Sequence, residues 1–249
     1  MENIKIILYS LIQGATEFLP ISSSAHLYLI QGFFKWNDNI LLLALGAHLG
    51  TFLAVLFYNR KLFMVFRKGH YFLLATISSI PVITIGGLFG IFGFNYYNSN
   101  LFVIAIACIV GGILLDISDN QIKSKDKNTI SYKESILIGI FQVLALIPGM
   151  SRSGCVITMM RYLGINRVLC IKYSLLTGLP VLFAACSFGL YKAAMNNNNV
   201  DITKLFLVIL ITLFTASITI NFFLKWVKKF SFRIFSIYRI ILGILILVY

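Results

Sequence analysis

"GATEFLPISSSAHLYL", Gly14 to Leu29, decides how the chain is built. Apolar sequence flanks it, yet it carries Glu17, Ser22, Ser23, Ser24 and His26, and Pro20 splits it. The stretch leading in, Ile4–Glu17, has 14 residues. As a helix that is about 21 Å, at ~1.5 Å per residue, against a hydrocarbon thickness of roughly 30 Å, so it is too short to span comfortably alone. Pro20 lacks a backbone donor and disfavours helix at Leu19, so the chain is expected to turn there and restart as a second half-helix after the serines. Two half-helices that enter and leave on one face form a re-entrant hairpin, which is tolerated at membrane depth only when buried in protein or lining a wet cavity. The alternative is a single kinked helix over Ile4–Phe34 that crosses once.

The remainder of the chain supplies the membrane setting. Of 249 residues, 59% are hydrophobic and 12% charged, with a mean hydropathy of +0.91, values outside the range of soluble domains of this size. Apolar runs of about spanning length recur at Ile40–Phe57, Tyr71–Phe94, Leu101–Leu115, Val168–Tyr191, Leu205–Leu224 and Ile234–Val248. The net charge of +13 is spread over short loops between these runs and forms no basic domain. It therefore points to topology control and not to nucleic acid. Cys108, Cys155, Cys170 and Cys186 lie singly in apolar segments without metal-type spacing and read as packing residues. Ile4–Ile12 is too short for a convincing signal peptide and has no cleavage site after it, so Met1 is expected to begin the mature chain.

Basic residues concentrate in loops Asn59–His70 (Arg60, Lys61, Arg67, Lys68), Asp116–Glu134 (Lys123, Lys125, Lys127, Lys133), Arg161–Lys172 and Lys225–Arg233. The positive-inside rule makes all four cytoplasmic. Gly93–Asn100 and Met195–Asp201, with its Asn196–Asn199 run, are almost uncharged and belong outside. Alternation through six spans then puts Lys35–Asn39 and both termini, including Tyr249, on the outer side.

The grammar of the opening stretch occurs twice. "QGATEFLPIS" from Gln13 and "QVLALIPGMS" from Gln142 each place a proline just before a serine cluster, 129 positions apart. The order persists downstream, where the stretch from Asn39 faces that from Asn166 and Gly112 faces Gly243. Each half thus holds one broken hairpin and three spans, and an odd number of crossings turns the second half upside down. The expected fold is all-α and polytopic, with six transmembrane helices plus two re-entrant helical hairpins in an inverted repeat. It forms one membrane domain over 1–249: a first repeat at about 1–117, a cytoplasmic loop at about 118–132 and a second repeat at about 133–249. The polar tips, Ser22–Ser24 and Ser151–Ser153, are expected to meet.

"PGMSRSG", Pro148 to Gly154, ends one helix and caps the next through Ser151 or Ser153, leaving free N–H groups that suit an anion. Arg152 adds a fork of donors that matches phosphate oxygens; the alternative is a structural ion pair with Glu17. Two helix starts and one arginine suit a ligand with more than one phosphate. Glu17 can bind a divalent metal or orient a histidine, since a carboxylate in a membrane segment usually marks a function or a buried partner. His26 is the side chain suited to move protons near neutral pH, and Ser23 the hydroxyl it could activate. His48, in "GAHLGT", can support the site from the first full span, but reads first as packing against its neighbouring glycines, and His70 reads as solvated in a loop.

"QGATEFLPISSSAHL" and "LIPGMSRSG" resemble the two signature motifs of the bacterial undecaprenyl diphosphate phosphatases of the bacitracin-resistance type: an [EQ]xxxE element running into a serine-and-histidine loop, and a PGxSRSxxT element. "HLGTFLAVLFYNRKL" and "SLLTGLPVLFAA" extend the resemblance over most of the chain. It implies a multi-pass enzyme of the bacterial inner membrane with two re-entrant hairpins and six spans. The implied reaction removes the terminal phosphate of the C55 isoprenoid diphosphate at the outer face, recycling the carrier for cell-wall synthesis and conferring bacitracin resistance. A divalent cation, magnesium or calcium, assists.

Carried over by residue, the resemblance makes Gln13 and Glu17 the [EQ]xxxE pair, with Glu17 toward the metal, and assigns Ser22, Ser23 and His26 to the loop. Ser151, Arg152 and Ser153 become the SRS core. Glu17, Ser23, His26 and Arg152 are the expected catalytic set; Gln13, Ser22, Ser24, Ser151, Ser153 and Lys172 are expected to bind substrate. Lys172 stands where many members have arginine, Val156 where the motif has threonine, and Ala25 where glycine is frequent. Expected partners are the polyprenyl diphosphate, membrane lipids and, as one allowed state, a second copy in a homodimer; nucleic acid is not among them. Inverted repeats with broken helices also build carriers, so the rival function is transport or flipping of the lipid phosphate without cleavage.

Overall fold

Pro20 and the serines break the first apolar run. In the computed structural model, which describes residues 2–34, 36, 40–65, 70–92, 100–120, 127–195 and 201–248, helix α1 (Glu2–Thr16) stops before Pro20. Helix α2 (Ser23–Phe33) starts after Ser22, whose Oγ accepts from the Ala25 N–H at 3.4 Å. The Lys5 ammonium lies over the Trp36 ring, and Ile6, Tyr9, Leu27 and Trp36 share one apolar cluster. The start of α1 and the end of α2 are therefore neighbours, so the segment is a hairpin and not one kinked helix.

The chain later repeats this construction. After α3 (Ile40–Val65), α4 (His70–Ile91) and α5 (Leu101–Asn120), helix α6 (Tyr132–Gln142) opens on a capping box between Ser131 and Glu134 and continues as a 3-10 turn, Val143–Leu146. Pro148 and Gly149 then turn the chain, and Ser151 caps α7 (Arg152–Tyr162). The open end of this second hairpin is closed by backbone bonds from Lys127 N to Gly164 O (2.9 Å) and from Asn166 N to Lys127 O (3.0 Å). Helices α8 (Arg167–Met195), α9 (Ile202–Trp226) and α10 (Arg233–Val248) complete the chain.

All regular structure among the described residues is helical apart from one isolated bridge, Lys127 to Ile165. Helices α3, α4, α5, α8 and α9 are long and apolar enough to cross a membrane. Large apolar side chains such as Phe183, Phe214 and Phe222 stay exposed along them, as lipid-facing helices require. The chain is accordingly an all-helical, multi-pass membrane protein. Helix α10, with 16 residues, is about 24 Å long.

Three expected loops are shorter than the charge pattern suggested. Helix α3 runs on to Val65, α5 to Asn120, and α8 starts at Arg167, so Lys172 stands inside a helix. The parts that prove helical, 59–65, 116–120 and 167–172, contain no proline or glycine, and charge alone does not end a helix. Lys35, Asn37–Asn39, Arg67, Lys68, 93–99, Lys123, Lys125, Asn196–Asn199 and Tyr249 lie outside the described residues.

The described ends of the charge-rich loops share one side of the molecule. Buried Asp119 accepts from Arg161 Nε (2.8 Å), from Arg167 Nε (2.9 Å) and from the Phe232 N–H (3.0 Å). Tyr71, at the start of α4, donates to Asn128 O. Packing exchanges partners between the halves: α1 lies on α9, α6 on α4, α3 on α8, and α5 on α10. Gly112 and Gly243 let α5 and α10 close up, since a Cβ would come within 2.9 Å of Ser236 O and 2.6 Å of Ala105 O respectively.

Candidate active site

The first tip is organised by a helical i,i+4 pair. Gln13 and Glu17 stack one turn apart, and the Gln13 Nε2 donates to Glu17 Oε2 at 2.9 Å. Ser23 Oγ donates to the same oxygen at 3.0 Å. Ser22, at φ 71°, and Ser24 face each other with hydroxyls 3.1 Å apart. Among the described residues Ser23 is the one serine of the three whose hydroxyl bonds the carboxylate, while Ser22 caps α2 and Ser24 cross-links to the second tip.

The second tip copies the first. Ser151 also has a positive φ, 65°, and its Oγ accepts from the Gly154 N–H at 3.1 Å and lies 3.1 Å from Ser153 Oγ. Non-glycine residues held in this region store strain and cluster at functional sites. Arg152 occupies the place that Ser23 has in the first tip. Its Nη1 donates to Ser174 O at 2.6 Å, and its Nη2 is 3.5 Å from Glu17 Oε1. The guanidinium lies flat on α8 at Gly178, where a Cβ would meet it at 2.9 Å.

The tips are tied to each other reciprocally. Gly149 N donates to Ser24 Oγ at 3.3 Å, and Ser153 Oγ donates to Leu19 O at 2.9 Å. Glu17, Ser23 and Arg152 therefore form one cluster, with Glu17 and Arg152 side chains about a tenth exposed. A cavity of about 340 Å³ opens beside it, lined by the polar Gln13, Ser23, Ser24, His48, Gln31 and Lys192 and, over more of its wall, by apolar side chains including Leu45 and Phe188.

His26 and Lys172 are placed differently from expectation. His26 Nδ1 lies 2.7 Å from Ser22 O, and since a carbonyl only accepts, this nitrogen carries the hydrogen. In the neutral ring Nε2 then accepts from Tyr238 O–H at 2.6 Å, with the rings parallel. No hydrogen bond joins His26 to Ser23 among the described residues; the serine's acceptor is Glu17. Lys172 is half-buried on α8 and has no polar partner among the described residues.

Two contributors, Tyr238 and Arg239, carry no usable sequence signal, and a third, His48, is one whose packing reading the structure replaces. Tyr238 reaches His26 from α10. Arg239, 1% exposed, clamps the second tip: its Nη2 donates to Met150 O (2.9 Å), Gly149 O (3.1 Å) and Ala107 O (3.4 Å), while its Nε has no partner among the described residues. It lies within the apolar run Ile234–Val248, which the charge pattern had treated as an ordinary span. His48 meets Gln13, 3.3 Å from Nδ1 to Nε2. The glycines flanking it do not pack on it: Gly46 and Gly50 face Val208 and Thr212 of α9.

Gln13 is 1% exposed, and its Oε1 has no partner among the described residues. With the Glu17 carboxylate it would offer a neutral and a charged oxygen donor of the kind a hard divalent cation takes. Magnesium or calcium fits this donor set. The cluster thus combines an acidic acceptor, a hydroxyl, a guanidinium and two helix starts, a set suited to phosphoryl transfer.

The family model for bacitracin resistance protein BacA matches residues 6–245. The chain is similar to the undecaprenyl-diphosphatase of Pelagibacter ubique, 37% identical over 98% of this chain and 96% of that protein. It is also similar to that of Methanococcus aeolicus, 36% identical over 100% and 99%, and to that of Aliivibrio salmonicida, 36% identical over 94% and 93%. With a family match over nearly its whole length and both signature tips in place, the chain belongs to the bacitracin resistance protein BacA family.

Proposed function

We infer that this chain is an undecaprenyl-diphosphatase, an integral membrane phosphatase that converts undecaprenyl diphosphate to undecaprenyl phosphate and inorganic phosphate. The observation that carries the reading at this chain's own residues is the Glu17–Ser23–Arg152 cluster, assembled from two separate tips, whose Ser23 lines a mostly apolar cavity.

The proposed chemistry runs as follows. The diphosphate enters with its oxygens toward the Arg152 guanidinium and the N-termini of α2 and α7, with Ser22, Ser24, Ser151 and Ser153 shaping the two starts. Ser23 Oγ attacks the terminal phosphorus as its proton passes to Glu17 Oε2, 3.0 Å away. The bond to the bridging oxygen breaks, and undecaprenyl phosphate leaves. Water, losing a proton toward the released phosphate, then attacks the phosphoserine phosphorus; the Ser23 Oγ–P bond breaks, inorganic phosphate leaves, and Glu17 returns its proton to Ser23 Oγ. A divalent cation held by Glu17 and Gln13 would offset phosphate charge. His26, through Ser22 O and Tyr238, holds the turn that aims Ser23. The isoprenoid lies along the apolar part of the cavity.

The proposed membrane arrangement is a single domain of two inverted repeats. The α1–α2 and α6–α7 hairpins are read as re-entrant from opposite faces, with α10 as the sixth span beside the five long helices. The tip-to-tip bonds and the exchanged packing of α1 with α9 and of α6 with α4 support this plan. The basic loops are read as cytoplasmic in a bacterial inner membrane, the termini and the cavity as outer.

Phosphate release from undecaprenyl diphosphate by the purified protein in detergent tests the function. Turnover without a bilayer is the expected result. Binding of the lipid with no release of phosphate would favour the carrier reading instead.

A further inference from the structure

Two imidazoles stand near the cluster, and the geometry separates their roles. Both nitrogens of His26 are engaged, one by Ser22 O and the other by Tyr238. The His48 ring instead lines the cavity together with Gln13, Ser23 and Ser24. Its position on α3 follows from helical periodicity. Gly46 and Gly50, one turn apart, press against α9, and residue 48 between them projects from the opposite side of the helix.

Hydrogen-bond chemistry fixes which His48 nitrogen carries the hydrogen. The Gln13 group facing Glu17 Oε2 is the amide nitrogen, because an ionised carboxylate only accepts. The same nitrogen lies 3.3 Å from His48 Nδ1, so its second hydrogen points at a ring nitrogen that must present a lone pair. The neutral ring then holds its hydrogen on Nε2. No bond from that atom is found among the described residues, and its ring faces the space beside Ser23. Without an acceptor from the protein, an N–H in a mostly apolar cavity calls for one from a ligand.

We propose that His48 is a further substrate-binding residue of this site, donating Nε2–H to an oxygen of the diphosphate, with Gln13 as the positioning residue that sets the ring's tautomer. The proposal rests on the diphosphatase reading. It gives Gln13 two tasks through one amide: the nitrogen orients Glu17 and His48, and Oε1 remains for a cation. It also accounts for a half-buried histidine in α3, outside both signature tips, that reaches Gln13.

The test is binding of a non-hydrolysable farnesyl methylenediphosphonate to the purified full chain, with kcat and KM for the cleavable lipid measured alongside. Asparagine at position 48 can place an oxygen near Nδ1 and keep the Gln13 contact, but it has no donor at the Nε2 position. Glutamine reaches that position with an amide N–H. His48→Ala and His48→Asn are expected to weaken probe binding about tenfold or more, the loss of one hydrogen bond to a charged group, and His48→Gln to recover most of it. Equal binding by wild type and His48→Asn would overturn the proposal, leaving His48 only a support for Gln13. If His48→Ala fails to fold, the comparison of Asn with Gln still decides. A wild type that releases no phosphate sinks the diphosphatase reading itself; an active wild type whose variants all bind the probe equally sinks only the role of His48.

Discussion

Glu17 Oε1 lies 3.5 Å from Arg152 Nη2, across 135 positions of sequence and between two different tips. A committed carboxylate–guanidinium bond is shorter, roughly 2.7–2.9 Å. Arg152 makes its short bond elsewhere, to Ser174 O at 2.6 Å. The pair is thus close enough to be neighbours in a buried place, yet loose enough for phosphate oxygens to enter between them. This favours the substrate-binding reading of Arg152 over a purely structural ion pair.

Ser23 and Glu17 act as one unit in this account. Ser23→Ala removes the attacking oxygen and Glu17→Gln the acceptor of its proton, so each is expected to lower kcat by at least ~10²-fold, with the double variant little worse than either single one. Quenching the reaction in acid with terminally labelled substrate should trap label on Ser23 in wild type. Label on Ser22 or Ser24, or undiminished turnover by Ser23→Ala, would assign the nucleophile elsewhere.

Chelation is expected to stop turnover, and magnesium or calcium to restore it. Gln13→Glu replaces the free amide oxygen by a second carboxylate, which should tighten cation binding and shift half-restoration to lower metal concentration. Titration of metal-free wild type and variant checks this. An unchanged metal requirement would take Gln13 out of the donor set.

Arg239 links α10 to the second tip without touching the cluster. Its Nη2 bonds to Gly149 and Met150 carbonyls fix the turn that presents Ser151 and Arg152. A Cβ at Gly111 would fall 1.9 Å from that nitrogen, so Gly111→Ala must displace the guanidinium. Both Gly111→Ala and Arg239→Met are expected to lower Tm and to cut kcat about tenfold or more, a large effect for two changes outside the cavity. Phosphate release and thermal unfolding in detergent measure both.

The parts of this site that were readable in the sequence are those governed by local rules. Pro20 before three serines announced the break, the four-residue spacing of Gln13 and Glu17 put both on one helix face, and the spacing from Pro148 to Ser151 announced the second cap. What escaped is carried by tertiary contact. Tyr238 meets His26 from 212 positions away, and nothing in "SIYRIILG" marks Tyr238 as a partner or distinguishes Arg239 from an arginine at a span's end. His48 stands between glycines that suggest local packing, yet those glycines serve α9 and the ring turns to Gln13, the less favoured of its two readings. Lys172 shows the converse: likeness to a family position nominated it, and the structure gives it no polar contact among the described residues.

The central claim is that both tips act on one diphosphate, and Arg152 tests it most directly. Arg152→Lys keeps the charge and loses the fork, and Arg152→Ala loses both. For protein that elutes and melts like wild type, kcat for phosphate release from undecaprenyl diphosphate is predicted to fall about 10²–10³-fold in the alanine variant, as when one preorganised donor is removed, with lysine recovering only a part. Release at the wild-type rate by Arg152→Ala would contradict the account.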